Sequence, residues 1–126
     1  MSDDQDRDIR IYCTADWIAE VKIIQVLPID MLYEHEINYT KVYKMPSQFN
    51  ETFPTTIYSH QQSSACGLKI PENTEDLLVG FINDNTGFSG PPGTMSIDAC
   101  TYFYQEFKQK LKNGLFVNCT NYDKEQ

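Results

Sequence analysis

The longest alternation of hydrophobic and polar positions runs from Cys13 to Pro28 and predicts a long β-strand. Successive side chains of a strand point to opposite faces, so the stretch divides into two sets. One face carries Trp17, Ala19, Val21 and Ile23, and the other carries Ile18, Glu20, Lys22 and Ile24. We interpret Trp17 as a core residue rather than as a binding aromatic.

Shorter segments of the same kind predict further strands. The sequence alternates again over Ile37–Tyr43, and three more strands are predicted at Thr55–Tyr58, Leu77–Ile82 and Thr94–Ala99, the last a short closing strand. The segment 83–93 is rich in Asn, Gly and Pro and predicts consecutive turns. Residues 1–8 are polar and mostly acidic, and we expect them to be a disordered lead-in or to order only on a partner.

Near the end of the chain, hydrophobic residues recur at helical spacing and predict an amphipathic helix over Tyr102–Leu115. The apolar positions are Phe103, Phe107, Leu111 and Leu115, the basic ones late in the run are Lys108, Lys110 and Lys112, and the stop is Asn113-Gly114. Five or six strands and one terminal helix favour an all-β fold with a flanking helix. We expect a five-stranded Greek-key barrel of the oligonucleotide/oligosaccharide-binding (OB) type.

Composition narrows the class of protein. With 126 residues, 40% of them hydrophobic, the chain is one domain that can bury a core without a metal or cofactor. The net charge of −8 and the scattered Lys and Arg disfavour nucleic acid, heparin and anionic membranes as partners, and with them a nucleic-acid- or carbohydrate-binding barrel. No apolar run approaches the roughly 18 residues of a membrane span, and the first ten residues are too polar for a signal peptide.

Each of the four cysteines adjoins an apolar, strand-like segment: Cys13, Cys66, Cys100 and Cys119. Zinc sites usually contain closely spaced Cys or His pairs, whereas the two nearest cysteines here are 19 positions apart. An even number of cysteines in a small acidic chain favours disulfide bonds and an extracellular location. Three glycosylation sequons, which begin at Asn38, Asn50 and Asn118, also favour secretion.

Four short motifs carry a resemblance to a known family. They are Cys13-Thr-Ala-Asp-Trp-Ile, Ser63-Ser-Ala-Cys-Gly67, Leu77-Leu-Val-Gly80 and Ile97-Asp-Ala-Cys100. Over nearly its full length the chain resembles the netrin-like module of tissue inhibitors of metalloproteinases. Within that family it is most similar to divergent invertebrate or parasite-secreted forms. The resemblance implies an acidic N-terminal segment (1–8), a netrin-like domain (9–120) and a C-terminal tail (121–126). It also implies a secreted glycoprotein that inhibits a metalloprotease.

The chain departs from this family at its beginning. Family members begin Cys-x-Cys, and the first α-amino group and carbonyl chelate the protease zinc; here those positions are Met1 and Asp3, with Ser2 between. In the family, the cysteines equivalent to Cys66 and Cys100 bond to the two that are missing. The resemblance therefore implies the disulfides Cys66–Cys100 and Cys13–Cys119. It also implies weakened chelation, because nothing covalent anchors Met1.

The resemblance also indicates which surface would contact a zinc metalloproteinase. It is a ridge built from the N-terminal segment, the Glu34–Asn38 hairpin, Ser63–Gly67 and Asp98–Thr101. The contact residues implied are Met1, Ser2, Asp3, Glu34, His35, Ser63, Ser64, Ala65 and Asp98. Ser63–Gly67 has an equally good interpretation as a turn that only carries a disulfide. An alternative function keeps the fold but replaces inhibition by immunomodulation: a secreted anti-inflammatory protein that binds a host or cell-surface partner.

Other candidate sites have simpler explanations. The sequence Glu34-His35-Glu36 could hold a metal, but we prefer surface contact at an exposed strand tip. Asp84 lacks the additional acidic ligands of a calcium loop and predicts a turn. No Ser/His/Asp arrangement, Cys/His pair or nucleotide motif can be assembled. We therefore expect a binding protein rather than an enzyme, with no metal and no cofactor.

Overall fold

The computed structural model describes residues 3–49, 52–102, 105–113 and 119, without the side chains of 3–8, 101, 102 and 105–107. Three helices and five strands are assigned in this part of the chain. In chain order they are α1 (Asp3–Thr14), β1 (Trp17–Ile29), β2 (Leu32–Lys44), β3 (Thr56–His60), β4 (Glu75–Ile82), β5 (Met95–Ser96), α2 (Ala99–Tyr102) and α3 (Gln105–Lys112). Two single 3₁₀ turns lie at Ser47–Phe49 and Ser63–Ala65.

The five strands form a closed barrel in the order β1-β2-β3-β5-β4, with β4 returning to β1. The pairs are antiparallel except β3 and β5, which run parallel. β1 pairs with β2 from Ile18 to Ile29 but with β4 only from Trp17 to Lys22, so the second half of the β1–β2 hairpin extends beyond β4. The predicted OB-like barrel with a flanking helix is confirmed.

The alternation in β1 places one face of the strand in the barrel interior. Trp17, Ala19, Val21 and Ile23 are each at most 1% exposed, and they pack with side chains from the other strands and the loops: Ile37, Ile57, Ile70, Leu78, Met95 and Ile97. The indole N–H of Trp17 donates to the carbonyl of Phe81 at 3.2 Å. Gly80 faces this ring so closely that a Cβ there would lie 2.4 Å from it. The interpretation of Trp17 as a core residue is confirmed.

On the opposite face, the start of β1 and part of β4 are covered by helices, whereas Lys22 and Ile24 further along β1 are exposed. Ile18, Leu77 and Val79 form a second apolar cluster with Ala15 and Leu111, and Ile11 and Tyr12 of α1 pack against it. In α3, Lys108 is buried and its ammonium lies 3.3 Å from the carboxylate of Asp76. Burial lowers the pKa of Lys108, and Asp76 opposes that shift. This lysine therefore joins α3 to the barrel instead of lying on a solvated face.

The acidic N-terminal segment differs from the expectation of a disordered lead-in, because the chain is helical from Asp3 onward. The expected boundary between residues 8 and 9 falls inside α1, and the tail 121–126 lies outside the described residues. Cys13 belongs to α1, so β1 begins at Trp17 rather than at Cys13. The reason is tertiary: apolar packing, a disulfide and a lysine cap hold the last turns of this helix, and none of these shows in the alternation pattern.

The cap is Lys44 of β2, whose ammonium donates to the carbonyls of Tyr12 and Ala15 at 2.7 and 2.6 Å. A cation at the end of a helix satisfies carbonyls that lack intrahelical partners and opposes the helix dipole. Replacing Lys44 with Met keeps the aliphatic stem, so we expect a loss of about 1–2 kcal/mol in unfolding free energy. Urea denaturation measures it, with Lys22→Met, an exposed lysine of β1, as the control. Equal losses in the two variants would contradict the capping role.

The remaining elements match their predictions with shifted boundaries. β2 and β4 begin earlier than expected, at Leu32 and Glu75, and β3 is shifted towards His60. β5 covers only two residues of its expected segment, Met95–Ser96. The predicted C-terminal helix corresponds to α2 and α3, and α3 ends at Lys112, directly before the expected stop. Of its four apolar positions, only Leu111 has a described side chain, and that side chain is buried.

Candidate protein-binding rim

The β1–β2 hairpin closes with a two-residue turn, Asp30-Met31, that is tied to the end of β3. Asp30 has a φ of 55°, a left-handed conformation that Asp tolerates better than most residues. The backbone N–H of Gln61 donates to the carbonyl of Met31 at 3.0 Å. The Gln61 side-chain amide donates to the carbonyls of Asp30 and Leu32 at 3.1 and 2.7 Å. One glutamine therefore fixes the hairpin turn beside the segment that follows β3.

That segment continues into the 3₁₀ turn Ser63–Ala65, which bears the second disulfide. Cys66 has a φ of 55°, and the backbone N–H of Gly67 donates to the carbonyl of Gln62 at 2.9 Å. Cys66 is bonded to Cys100, with 5.6 Å between their Cα atoms, and the N–H of Ala99 donates to the Cys66 carbonyl at 2.8 Å. The turn is therefore held against the region of Asp98, half-buried just before α2.

The β4–β5 loop brings a third segment to the same place. The Phe88 ring lies 4.5 Å from the imidazole ring of His60, centroid to centroid, and remains 70% exposed. The Nε2 atom of His60 lies 3.1 Å from the hydroxyl of Ser89. The sequence predicted only turns over this segment, and Phe88 was not among the predicted contact residues. Its position as an aromatic residue within a run of Gly, Ser and Pro was the available signal. We use the name rim for residues 29–32, 60–67, 88–89 and 98–100.

The rim combines exposed apolar side chains with exposed hydroxyls. Met31 is 61% exposed and Ile29 41%, while Ser63 and Ser64 are also exposed and Ala65 is half-buried. Glu34 lies outside the rim, on the outer face of β2. The prediction of a hairpin at Glu34–Asn38 is wrong, because this segment pairs along its length with β1 and the hairpin turn lies at Asp30-Met31. The Glu34 carboxylate accepts a hydrogen bond from the hydroxyl of Tyr58 on β3 at 3.2 Å. Burial and this carboxylate raise the pKa of Tyr58, so the tyrosine stays a neutral donor. Such a surface, with exposed apolar side chains beside hydroxyls, can bind a protein.

His35 does not belong to the contact surface, so that prediction is wrong. Its side chain is 0% exposed because it points to the inner side of β2, as the side chain of Ile37 does. The backbone N–H of Ile70 donates to Nε2 at 3.1 Å, so Nδ1 carries the proton and faces the carbonyl of Ile57 at 3.3 Å. Desolvation lowers the pKa of His35 to about 4, with smaller opposing and reinforcing effects from Ile57 and Lys69. This histidine is a neutral structural link in the core.

None of the three contact residues predicted at the N-terminus has a described side chain. Met1 and Ser2 lie outside the described residues, and Asp3 is the first residue of α1, with an undescribed side chain. The two disulfides are Cys13–Cys119 and Cys66–Cys100, the pairing that the family resemblance implied. Since Cys66 and Cys100 are bonded to each other, neither can tie the N-terminal segment to the rim. Two disulfides are compatible with an extracellular protein.

The sequon at Asn38 lies on an exposed position of β2, whereas Asn50 and Asn118 fall outside the described residues. Within the described part of the chain, no three His, Cys, Asp or Glu side chains come together as a metal site. None of the helices described is long and apolar enough to cross a membrane. No family model matches this chain, and neither does any curated protein.

Proposed function

We propose that this chain is a secreted, netrin-like binding protein that engages a zinc metalloproteinase through the rim, in the manner of a tissue inhibitor of metalloproteinases. It acts by binding protein rather than by catalysing a reaction. Its partner is a protein, not a nucleic acid or a membrane.

One observation carries the proposal: the rim unites Ser63–Ala65 and the Asp98–Cys100 region, two of the four segments that the resemblance assigned to one contact surface, although they are far apart in sequence. The hairpin turn, the Ser63–Ala65 turn and the Asp98–Cys100 region are joined by the Gln61 hydrogen bonds and the Cys66–Cys100 disulfide. These links restrict loop movement before a partner arrives, and preorganisation reduces the entropy lost on binding. The exposed side chains of Met31 and Phe88 supply apolar area of the kind that anchors protein interfaces.

A second candidate function is supported by the same disulfide. The Cys66–Cys100 bond occupies both sulfur atoms that would hold a chelating N-terminus at the rim. Without that anchor, the α-amino group loses part of its zinc-binding energy to ordering. The rim would then serve a non-inhibitory immunomodulatory protein, anti-inflammatory in effect, that binds a host or cell-surface partner.

A titration against a matrix metalloproteinase catalytic domain cleaving a fluorogenic peptide tests the first candidate. We expect inhibition at micromolar concentration, weakened at least about tenfold by Ser64→Arg, because a long cation at this exposed position blocks close approach. The matched control is Glu75→Arg, an exposed position at the start of β4 and away from the rim. Inhibition by the control should equal that of the unmodified protein.

Acetylating the N-terminus separates zinc chelation from contact through the rim alone. Inhibition lost on acetylation means that the α-amino group reaches the zinc, and inhibition retained means that the rim alone blocks the cleft. An absence of inhibition by the unmodified protein contradicts the first candidate and leaves the second.

A further inference from the structure

The chain has a pronounced charge asymmetry that the rim does not explain. Between Lys44 and Lys108 it contains seven acidic residues but a single basic one, Lys69. The ammonium of Lys69 lies 5.5 Å from the ring of Tyr33 on β2. The β4–β5 loop and the start of α2 belong to this acidic stretch, and its single basic residue, Lys69, contacts Tyr33 instead. A potential of one sign attracts partners of the opposite sign.

A pocket of about 280 Å³ lies between this loop and the residues before α2. Its lining combines carboxylates, an amide, hydroxyls and aromatic rings, notably Asp84, Asp98, Asn83, Ser89 and Phe88. This volume lies at the small end of the roughly 300–1,000 Å³ of ligand pockets and is large enough for a single side chain. Lys69, the only cation of the surrounding sequence, does not line it.

Asn83 gives the pocket an acceptor that the protein itself does not use. The residue is only 8% exposed, and its side-chain amide N–H donates to the hydroxyl of Thr94 at 2.9 Å. Among the described residues, its Oδ1 atom has no hydrogen-bond partner. Buried acceptors are normally satisfied by protein or water, so this oxygen is available to a donor that enters the pocket.

Asp84 supplies a fixed negative charge beside that acceptor. Its Oδ1 accepts hydrogen bonds from the backbone N–H and the hydroxyl of Thr86, at 3.0 and 2.5 Å. These bonds lower the pKa of the Asp84 carboxyl, so it remains ionised over the physiological range. Among the described residues no hydrogen bond to the second carboxylate oxygen is found, so that oxygen can accept one from a ligand.

We propose that this pocket, hereafter the cation pocket, binds one Arg or Lys side chain of a partner protein. A guanidinium carries only donors and stacks on aromatic rings, which fits the Asn83 acceptor, the Asp84 carboxylate and the exposed ring of Phe88. An ammonium meets the same groups as a point charge. The cation pocket adjoins the rim through Phe88 and Ser89, and its role does not depend on whether the partner is a protease.

The test is an NMR titration of the ¹⁵N-labelled full chain with acetyl-Gly-Arg-Gly-amide. We expect the amide signals of Asn83, Thr86 and Ser89 to shift, and the neutral citrulline peptide of the same shape to leave them unchanged. The lysine peptide reports which cation is preferred. Phe88→Ala should weaken arginine binding about two- to fivefold, since an exposed cation–π contact contributes that much.

Charge controls separate the cation pocket from general attraction to an acidic protein. Asp84→Asn and Glu75→Gln remove the same charge, but only the first lines the cation pocket. The proposal requires Asp84→Asn to weaken binding and Glu75→Gln to leave it within twofold. Equal effects of the two, equal binding of the citrulline peptide, or the same signals shifted by calcium chloride alone would each overturn it.

Discussion

A double variant with Cys13→Ala and Cys119→Ala is expected to lose about 4–5 kcal/mol of unfolding free energy. The bond joins positions separated by 106 residues and closes nearly the whole chain into one loop. In the chain-entropy account, a cross-link restricts the unfolded ensemble more as the loop lengthens. Urea denaturation followed by the fluorescence of the buried Trp17, the only tryptophan of the chain, measures the loss.

The second disulfide provides the matched comparison. Cys66 and Cys100 are separated by only 34 residues, so Cys66→Ala with Cys100→Ala is expected to cost about 1 kcal/mol less. Removing Cys13–Cys119 also releases α1 from its covalent anchor, which adds to the difference. A larger loss from the shorter loop would contradict the ranking.

The barrel could be predicted from the sequence because the interior face of β1 has a period of two. Trp17, Ala19, Val21 and Ile23 alternate with polar or helix-covered positions, and a strand buried on one face requires that pattern. Helix α1 could not be predicted in the same way. Among the described side chains of α1, Ile11 and Tyr12 supply its contacts with the second apolar cluster, and its last turn is held by Lys44 and by the Cys13 disulfide, which come from distant parts of the sequence.

The candidate site was predicted less completely than the fold. The turn at Ser63–Ala65 was predicted from a motif. Phe88 reaches the rim only because the β4–β5 loop folds back towards the end of β3, where the ring contacts His60. Prediction of His35 as a surface residue failed even though the signal was present. It lies two positions before Ile37, so the strand period already placed it on the inward face.

Acidification is expected to lower the unfolding free energy by about 3 kcal/mol through His35 alone. The pKa of this residue is about 4 in the folded protein and 6.5 in an exposed reference state. Between these values the unfolded chain binds a proton that the folded chain excludes, so stability falls as the pH drops from about 6.5 to 4. Above that range both states are neutral, and the full contribution is present.

Urea denaturation of three proteins across this pH range isolates the effect, because carboxylates that also titrate there are common to all of them. The slope of unfolding free energy against pH should persist in His60→Gln, which removes the only other histidine. It should flatten in His35→Gln. Glutamine is neutral at every pH tested. His35→Gln should therefore be less stable than the unmodified protein mostly at neutral pH, where the imidazole links Ile57 to Ile70. If His60→Gln flattened the slope instead, the buried neutral imidazole would not be the group responsible. The acid sensitivity would then originate on the rim.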